Sequence, residues 1–274
     1  MTAVCLPQAK ACGYRAWWLS VVLLSTLVTA TAADSLAQRV WNRYANARSL
    51  QLRAVARFED LSLEAKPSVY ENTDPARWKR MEQEVKRLAG QEIRTEIIVE
   101  RPNRMYLEEK SAFGWFQSVS DGKVWQVKRQ DGSQAKTAAP PALHQMAQQR
   151  YWMYLGLDGE NDIDVLRLLA IGSPRLRNKL LHTTVQSSDK PNIKLLRWSE
   201  PIIYQGLKGQ GTITCFVDTR TALIRRVEYR FHVGVGAEAW LHMVIGQQWD
   251  NSRLSQPPAA SRFHIDQKGE VPRR

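Results

Sequence analysis

The chain has 274 residues, 43% of them hydrophobic, and carries a formal net charge of +12. That length suits one large domain or two small ones, and the apolar share supports a sizeable core. The basic residues are interleaved with acids along the chain, which argues against a nucleic-acid-binding stripe; anionic lipid headgroups, another protein or a plain solvated surface fit better.

The first 32 residues read as a signal peptide. Lys10 and Arg15 form a positive start, Trp17 to Val28 is an apolar run too short to span a bilayer comfortably, and Ala30-Thr31-Ala32 is a small-x-small cleavage pattern. The competing reading is a membrane anchor. No cysteine stands directly after the apolar run, so lipid modification there is not expected. Cleavage lowers the net charge to +10, because the segment holds Lys10, Arg15 and no acid. It also removes Cys5 and Cys12 and leaves Cys215 with no internal disulfide partner. Residues 33–274 are then expected to form a single domain.

Asp34 or Ser35 begins a first helix that runs to about Ala45, with Leu36, Val40, Trp41 and Tyr44 on one face. Leu50 to Phe58 alternates and predicts a strand. Residues 61–90 read as an inserted helix: Asp74-Pro75 starts it, Gly90 ends it, and Trp78, Met81, Val85 and Leu88 share a face. Ile93 to Val99 alternates again. Arg101-Pro102-Asn103 then breaks one alternation and opens the next, and Pro102 biases Arg101 to extended geometry. Asp121-Gly122 between Trp115–Ser120 and Val124–Lys128 is a strong hairpin signal. The stretch from Val99 to Lys128 therefore predicts an antiparallel meander.

Residues 140–172 are expected to be a helical lid insertion. One helix carries Leu143, Met146, Tyr151 and Tyr154; a second runs from about Asp162 to Ile171, with Ile163, Leu166, Leu169 and Ala170 as its stripe. Gly172 and Pro174 are stop signals, followed by the basic cluster Arg175, Arg177 and Lys179. Strands are then predicted near Leu181–Gln186, Ile193–Trp198, Gly211–Val217, Leu223–Phe231 and Ala239–Gln247, with a short one at Phe263–Ile265. The three glycines between Gly206 and Gly211 read as a loose turn. Roughly ten antiparallel strands must curl to limit exposed edges, which leaves a concave side for the helices.

The five histidines, His144, His182, His232, His242 and His264, are scattered, and none pairs with a carboxylate at metal-ligand spacing. There is no G-x-S-x-G elbow and no phosphate loop. Cys215 sits in an apolar alternation as an inert thiol. No catalytic group, metal or cofactor is expected, and no enzyme.

Several words in a fixed order carry a resemblance: Ser49-Leu50 after the first helix, Arg101-Pro102-Asn103, Val119-Ser120-Asp121-Gly122-Lys123 with Trp125, the Asp218–Arg226 hairpin, and Ser261-Arg262-Phe263-His264-Ile265 leading to Lys268-Gly269-Glu270-Val271. They span nearly the whole mature chain, which resembles the LolA-like superfamily of periplasmic outer-membrane lipoprotein carriers. The resemblance implies an α+β fold: an unclosed antiparallel β-barrel, a curved half-barrel sheet, with helices covering its apolar concave face. It implies a periplasmic, monomeric carrier that binds acyl chains of lipoproteins or lipids. It also implies an inner-membrane transporter and an outer-membrane acceptor as partners, and no nucleic acid. The family's arginine in the Arg-Pro-Asn word bonds to lid-helix carbonyls and holds the cavity shut; Arg101 matches it, although a charge at a strand end is the other reading.

The expected cavity wall comprises Leu52, Phe58, Ile97, Val99, Met105, Leu107, Trp115, Val119, Trp125, Ile213, Val217, Val227 and Tyr229, subject to the rule that a one-residue slip reverses a strand's faces. The chain departs from the carriers in its helix within 61–90 and in its greater length. The superfamily includes glycolipid carriers and envelope-stress sensors, so a periplasmic sensor or scaffold that binds a protein through the same fold is the alternative function.

Overall fold

The computed structural model describes residues 36–65, 75–112, 114–148, 164–204, 207–236, 239–254 and 256–265. The expected signal peptide, Asp34 and Ser35, residues 149–163 (most of the first predicted lid helix and the start of the second) and the C-terminal Lys268-Gly269-Glu270-Val271 lie outside them. No helix among the described residues is long and apolar enough to cross a membrane.

The described strands form one eleven-stranded antiparallel sheet. In chain order they are β1 (Ser49–Ala65), β2 (Glu92–Glu100), β3 (Arg104–Ser111), β4 (Gly114–Asp121), β5 (Val124–Arg129), β6 (Gln134–Ala138), β7 (Thr184–Ser187), β8 (Ile193–Tyr204), β9 (Leu207–Asp218), β10 (Leu223–Gly236) and β11 (Ala239–Asp250). Their spatial order is β6-β5-β4-β3-β2-β1-β11-β10-β9-β8-β7. Two consecutive meanders thus meet at the β1–β11 seam, and the sheet is not closed. Its edges, β6 and β7, are five and four residues long and largely polar, which suits strands that must not recruit another chain.

Four helices accompany the sheet: α1 (residues 36–44), α2 (Pro75–Leu88), α3 (Val165–Ile171) and α4 (Pro174–Leu181). A 3-10 turn spans Leu143–Gln148 and another Ala260–Phe263. One buried cluster joins the apolar side of the sheet to the buried residues of α1, α3 and α4, with Val85 and Leu88 of α2 packed against it. The expected α1 stripe is buried throughout. The side chains of Trp78 and Met81 lie outside the described residues.

Several boundaries differ from expectation. Strand β1 continues through Leu61 to Ala65, so the first five residues of the expected 61–90 insertion are strand, and its helix spans Pro75–Leu88. Helix α3 ends at Ile171 as expected, but Pro174 then occupies the first turn of a further helix, α4, where its missing N–H is harmless. Arg175 and Arg177 are accordingly exposed on that helix, Lys179 pairs with Glu200, and β7 starts at Thr184 rather than Leu181. Phe263 and Ile265 belong to no strand. With Ile98, Tyr106 and Val119 they form a second apolar cluster on the opposite, charged side of the sheet, flanked by Arg104 over Phe263 and Arg262 over Tyr106. A segment anchored on a sheet face has no edge to pair with.

The expected loose turn at 206–211 is also wrong where it is described: Gly209 and Gly211 lie within β9. A Cβ on Gly209 would sit 2.5 Å from the His232 carbonyl oxygen and 2.9 Å from Val233 Cα, so the glycine is there because the neighbouring backbone approaches closely. Gly209→Ala should destabilise the fold by about 3 kcal/mol. Gly234→Ala, whose nearest neighbour would be 3.8 Å away, should stay within about 0.5 kcal/mol. Equal denaturation midpoints for the two variants would refute the close-approach explanation.

The charged side carries cross-strand ion pairs. Arg53 bonds Glu96 at 2.8 Å, Arg57 bonds Glu92 at 2.8 Å, and Arg226 joins Glu59 to Glu228, which also takes Arg230. Hydrogen bonds from Arg226 hold the Glu59 carboxyl below its ordinary value, those from Arg94 and Arg57 do so for Glu92, and Arg225 does so for Asp218. Carboxyls lowered on folding contribute stability that is complete above their ordinary values and lost as pH falls through the folded ones. These pairs are solvent-exposed and individually weak. The thermal midpoint should therefore decline modestly from about pH 5 to about pH 3; a flat profile there would remove the lattice from the account.

Candidate functional site

The Arg101-Pro102-Asn103 turn between β2 and β3 gathers the surrounding elements. Arg101 donates from Nε to the Ala47 carbonyl at 2.9 Å, and from Nη2 to the Tyr44 carbonyl at 3.3 Å and the Ala170 carbonyl at 2.9 Å. Its half-buried guanidinium therefore reaches the C-terminal ends of both α1 and α3, where helices leave carbonyls without intrahelical partners. Burial lowers its pKa, although arginine stays charged. Gly172 caps α3 with φ 73°, a left-handed conformation, and a Cβ there would lie 3.5 Å from Arg101 Nη1.

The other two residues of the turn bind elsewhere. The Pro102 carbonyl accepts from Leu143 N–H at 2.9 Å. Asn103 Nδ2 donates to the carbonyls of Gly122 and Pro140, and its own carbonyl accepts from Ser120 Oγ. Three residues thus tie the hairpin, the approach to the 3-10 turn and two helices to one end of the sheet. The Arg101–Pro102 peptide is cis.

Helix α3 is also held at its other end. Asp164 caps it by accepting from Arg167 N–H, and Tyr229 Oη accepts from Val165 N–H at 3.2 Å. All seven residues of α3 are buried, Arg167 included. The Arg167 guanidinium pairs with Glu109 of β3 through Nη2 and with Asp164 at 2.8 Å through Nε. Burial pulls the Arg167 guanidinium down to about 10, which leaves it charged at neutral pH. Helix α1 has its own tie: Tyr44 Oη donates to Asn251 Oδ1 at 2.8 Å and accepts from Ile224 N–H at 2.9 Å. Burial pushes the Tyr44, Tyr229 and Cys215 pKa values well up, so these groups stay neutral.

Of the predicted wall, Leu52, Phe58, Ile97, Val99, Met105, Leu107, Trp125, Ile213, Val217, Val227 and Tyr229 lie together in the large cluster with the helices. Trp115 and Val119 do not. Trp115 is 37% exposed, and Val119 belongs to the cluster on the charged side. The expected register of β4 slips by one residue: Phe116, Ser118 and Ser120 share the apolar side. The two serines fit there because Ser118 Oγ accepts from Trp125 Nε1 at 2.7 Å while Ser120 bonds Asn103. Glu109 and Arg167 were missed. Each is a charge in an apolar position, Glu109 after Met105 and Leu107, Arg167 inside Val165–Ile171; two such interruptions are the signal that a buried pair exists.

No group of three or more His, Cys, Asp or Glu that would hold a metal occurs among the described residues. Compared with protein-family models and with curated proteins, the chain matches none.

Proposed function

We propose that the chain is an exported, non-enzymatic carrier of the LolA-like kind. On this reading the sheet is a curved half-barrel with helices over its apolar concave side. It binds acyl chains of lipoproteins or lipids there and ferries them across the periplasm. The observation that carries the reading is the bonding of Arg101 to carbonyls at the ends of α1 and α3. One of these carbonyls, Ala170, lies in the stretch expected as a lid, which supports the reading of Arg101 as a latch. The continuous apolar wall from β1 to β5 and β9 to β11 adds support. Each CH₂ of a chain buried against it would contribute about 0.8 kcal/mol, before ordering costs.

The test is native mass spectrometry of the protein purified from a cell envelope, with organic extraction of whatever is bound. The expected result is a discrete added mass that extraction converts to a lipid or acylated peptide. A bare protein that also fails to take up a fluorescent fatty acid would reject the carrier and favour a sensor or scaffold that binds a protein.

A further inference from the structure

We infer that Glu109 makes the apolar side of the sheet selective for amphiphiles whose polar end is a protonated amine, an inference that rests on the carrier reading above. Glu109 is 2% exposed and stands on the apolar side of the sheet. Its register neighbours on that side are Thr95 of β2 and Phe116 of β4, both buried. One carboxylate oxygen, Oε2, takes the Arg167 guanidinium; the other, Oε1, is buried with no hydrogen-bond partner. An acceptor left open in such a place is costly, and native structures rarely keep one without a reason.

The geometry sets what happens when a ligand enters. Arg167 belongs to α3 and Glu109 to the sheet. A chain that takes the place of α3 against the sheet withdraws the cation and leaves Glu109 facing the ligand. A buried carboxylate without its partner is strongly unfavourable. A ligand offering an ammonium restores a charge-assisted pair and has further protons for Oε1. A ligand ending in a carboxylate sets like charges against each other in a region sheltered from water. Arg129 lies on the same row of the sheet, opposite Phe116 and two strands from Glu109, roughly 10 Å at ordinary strand spacing. A headgroup seated at Glu109 therefore meets that carboxylate before Arg129. The net charge, positive with or without the first 32 residues, repels an ammonium at long range, so a preference for amines cannot come from the overall field.

The experiment is displacement of the neutral fluorophore N-phenyl-1-naphthylamine from the purified full chain at neutral pH. The competitors are dodecylamine, dodecan-1-ol and dodecanoic acid, three headgroups on one chain length. Dodecylamine is expected to displace the probe at concentrations about tenfold or more below dodecanoic acid, with the alcohol between them, as a pair worth at least ~1.4 kcal/mol requires. In Glu109→Gln the amine and acid should fall within about twofold of each other, as expected once the carboxylate is gone. Should Glu109→Gln fail to fold, the wild-type ranking and the double variant Glu109→Gln/Arg167→Met, which removes both charges, provide the same comparison. Binding of all three with no amine preference, or a preference that survives loss of Glu109, overturns this inference and leaves the carrier standing. No binding of any chain or of the probe overturns both.

Discussion

Arg167→Met is expected to destabilise the fold by about 3–5 kcal/mol, and adding Glu109→Gln should recover most of that loss. The asymmetry follows from desolvation. Both side chains are at most 7% exposed, so neither charge is solvated if the other is removed. The pair as a whole contributes little net stability, because two desolvation penalties offset the attraction. Taking away the guanidinium alone leaves the Glu109 carboxyl beside Thr95 and Phe116 without its partner, a cost it bears either as a charge or by taking up a proton. Taking away both leaves Met where α3 is otherwise apolar and Gln where one hydrogen bond is needed. Urea denaturation of the two single variants and the double variant gives the coupling directly. Additive losses would mean that the two residues do not act on each other.

This pair also marks where reading the residues in order stops being informative. The antiparallel meander was legible because alternation and turn chemistry are local: Asp121 Oδ1 accepts from the N–H groups of Lys123 and Val124, as a tight hairpin demands. The apolar wall was legible wherever a strand had one plainly apolar parity, as in Leu50–Phe58 and Ile93–Val99. It failed on β4, where Trp115 and Phe116 are adjacent aromatics and the inward serines look like surface residues until Trp125 and Asn103 are seen to satisfy them. Glycines in β9 mimicked a turn because the backbone crowding that requires them comes from β10. The same holds for Phe263 and Ile265: their apolar spacing is real, but the surface they cover is made by residues about 140 to 170 positions earlier. Non-local partners decide each of these cases. The Arg101 contacts divide: the bond to Ala170 falls in the stretch the family resemblance marks as a lid, while those to Tyr44 and Ala47 come from a helix that no local signal ties to the Arg-Pro-Asn turn.

Arg101→Leu should have the largest functional effect. It removes the donors to three carbonyls, on Tyr44, Ala47 and Ala170, and among the described residues no other side chain bonds both helix ends. Charge-assisted hydrogen bonds contribute about 1.5–3 kcal/mol each at most, and water can reach part of this site, so a stability loss of about 2–4 kcal/mol is expected. Arg101→Lys should fall between, because one ammonium lacks the planar fork that spans two helix ends. On the carrier reading the consequence is directional. An unlatched α3 exposes the wall more often, so loading of a fluorescent fatty acid should be faster. Release to acceptor vesicles should be slower, because closing the latch no longer helps to expel the chain. Backbone amide exchange separates this from general loosening: protection should fall first in residues 165–171 and at the end of α1, while β9 to β11 keep theirs. Uptake, release and exchange all unchanged from wild type would show that Arg101 only decorates a strand end. Faster exchange everywhere, with no gain in uptake, would make it a structural tie alone. Only the combination of local opening, faster loading and slower release requires that the bonds to Tyr44, Ala47 and Ala170 be broken and remade during function.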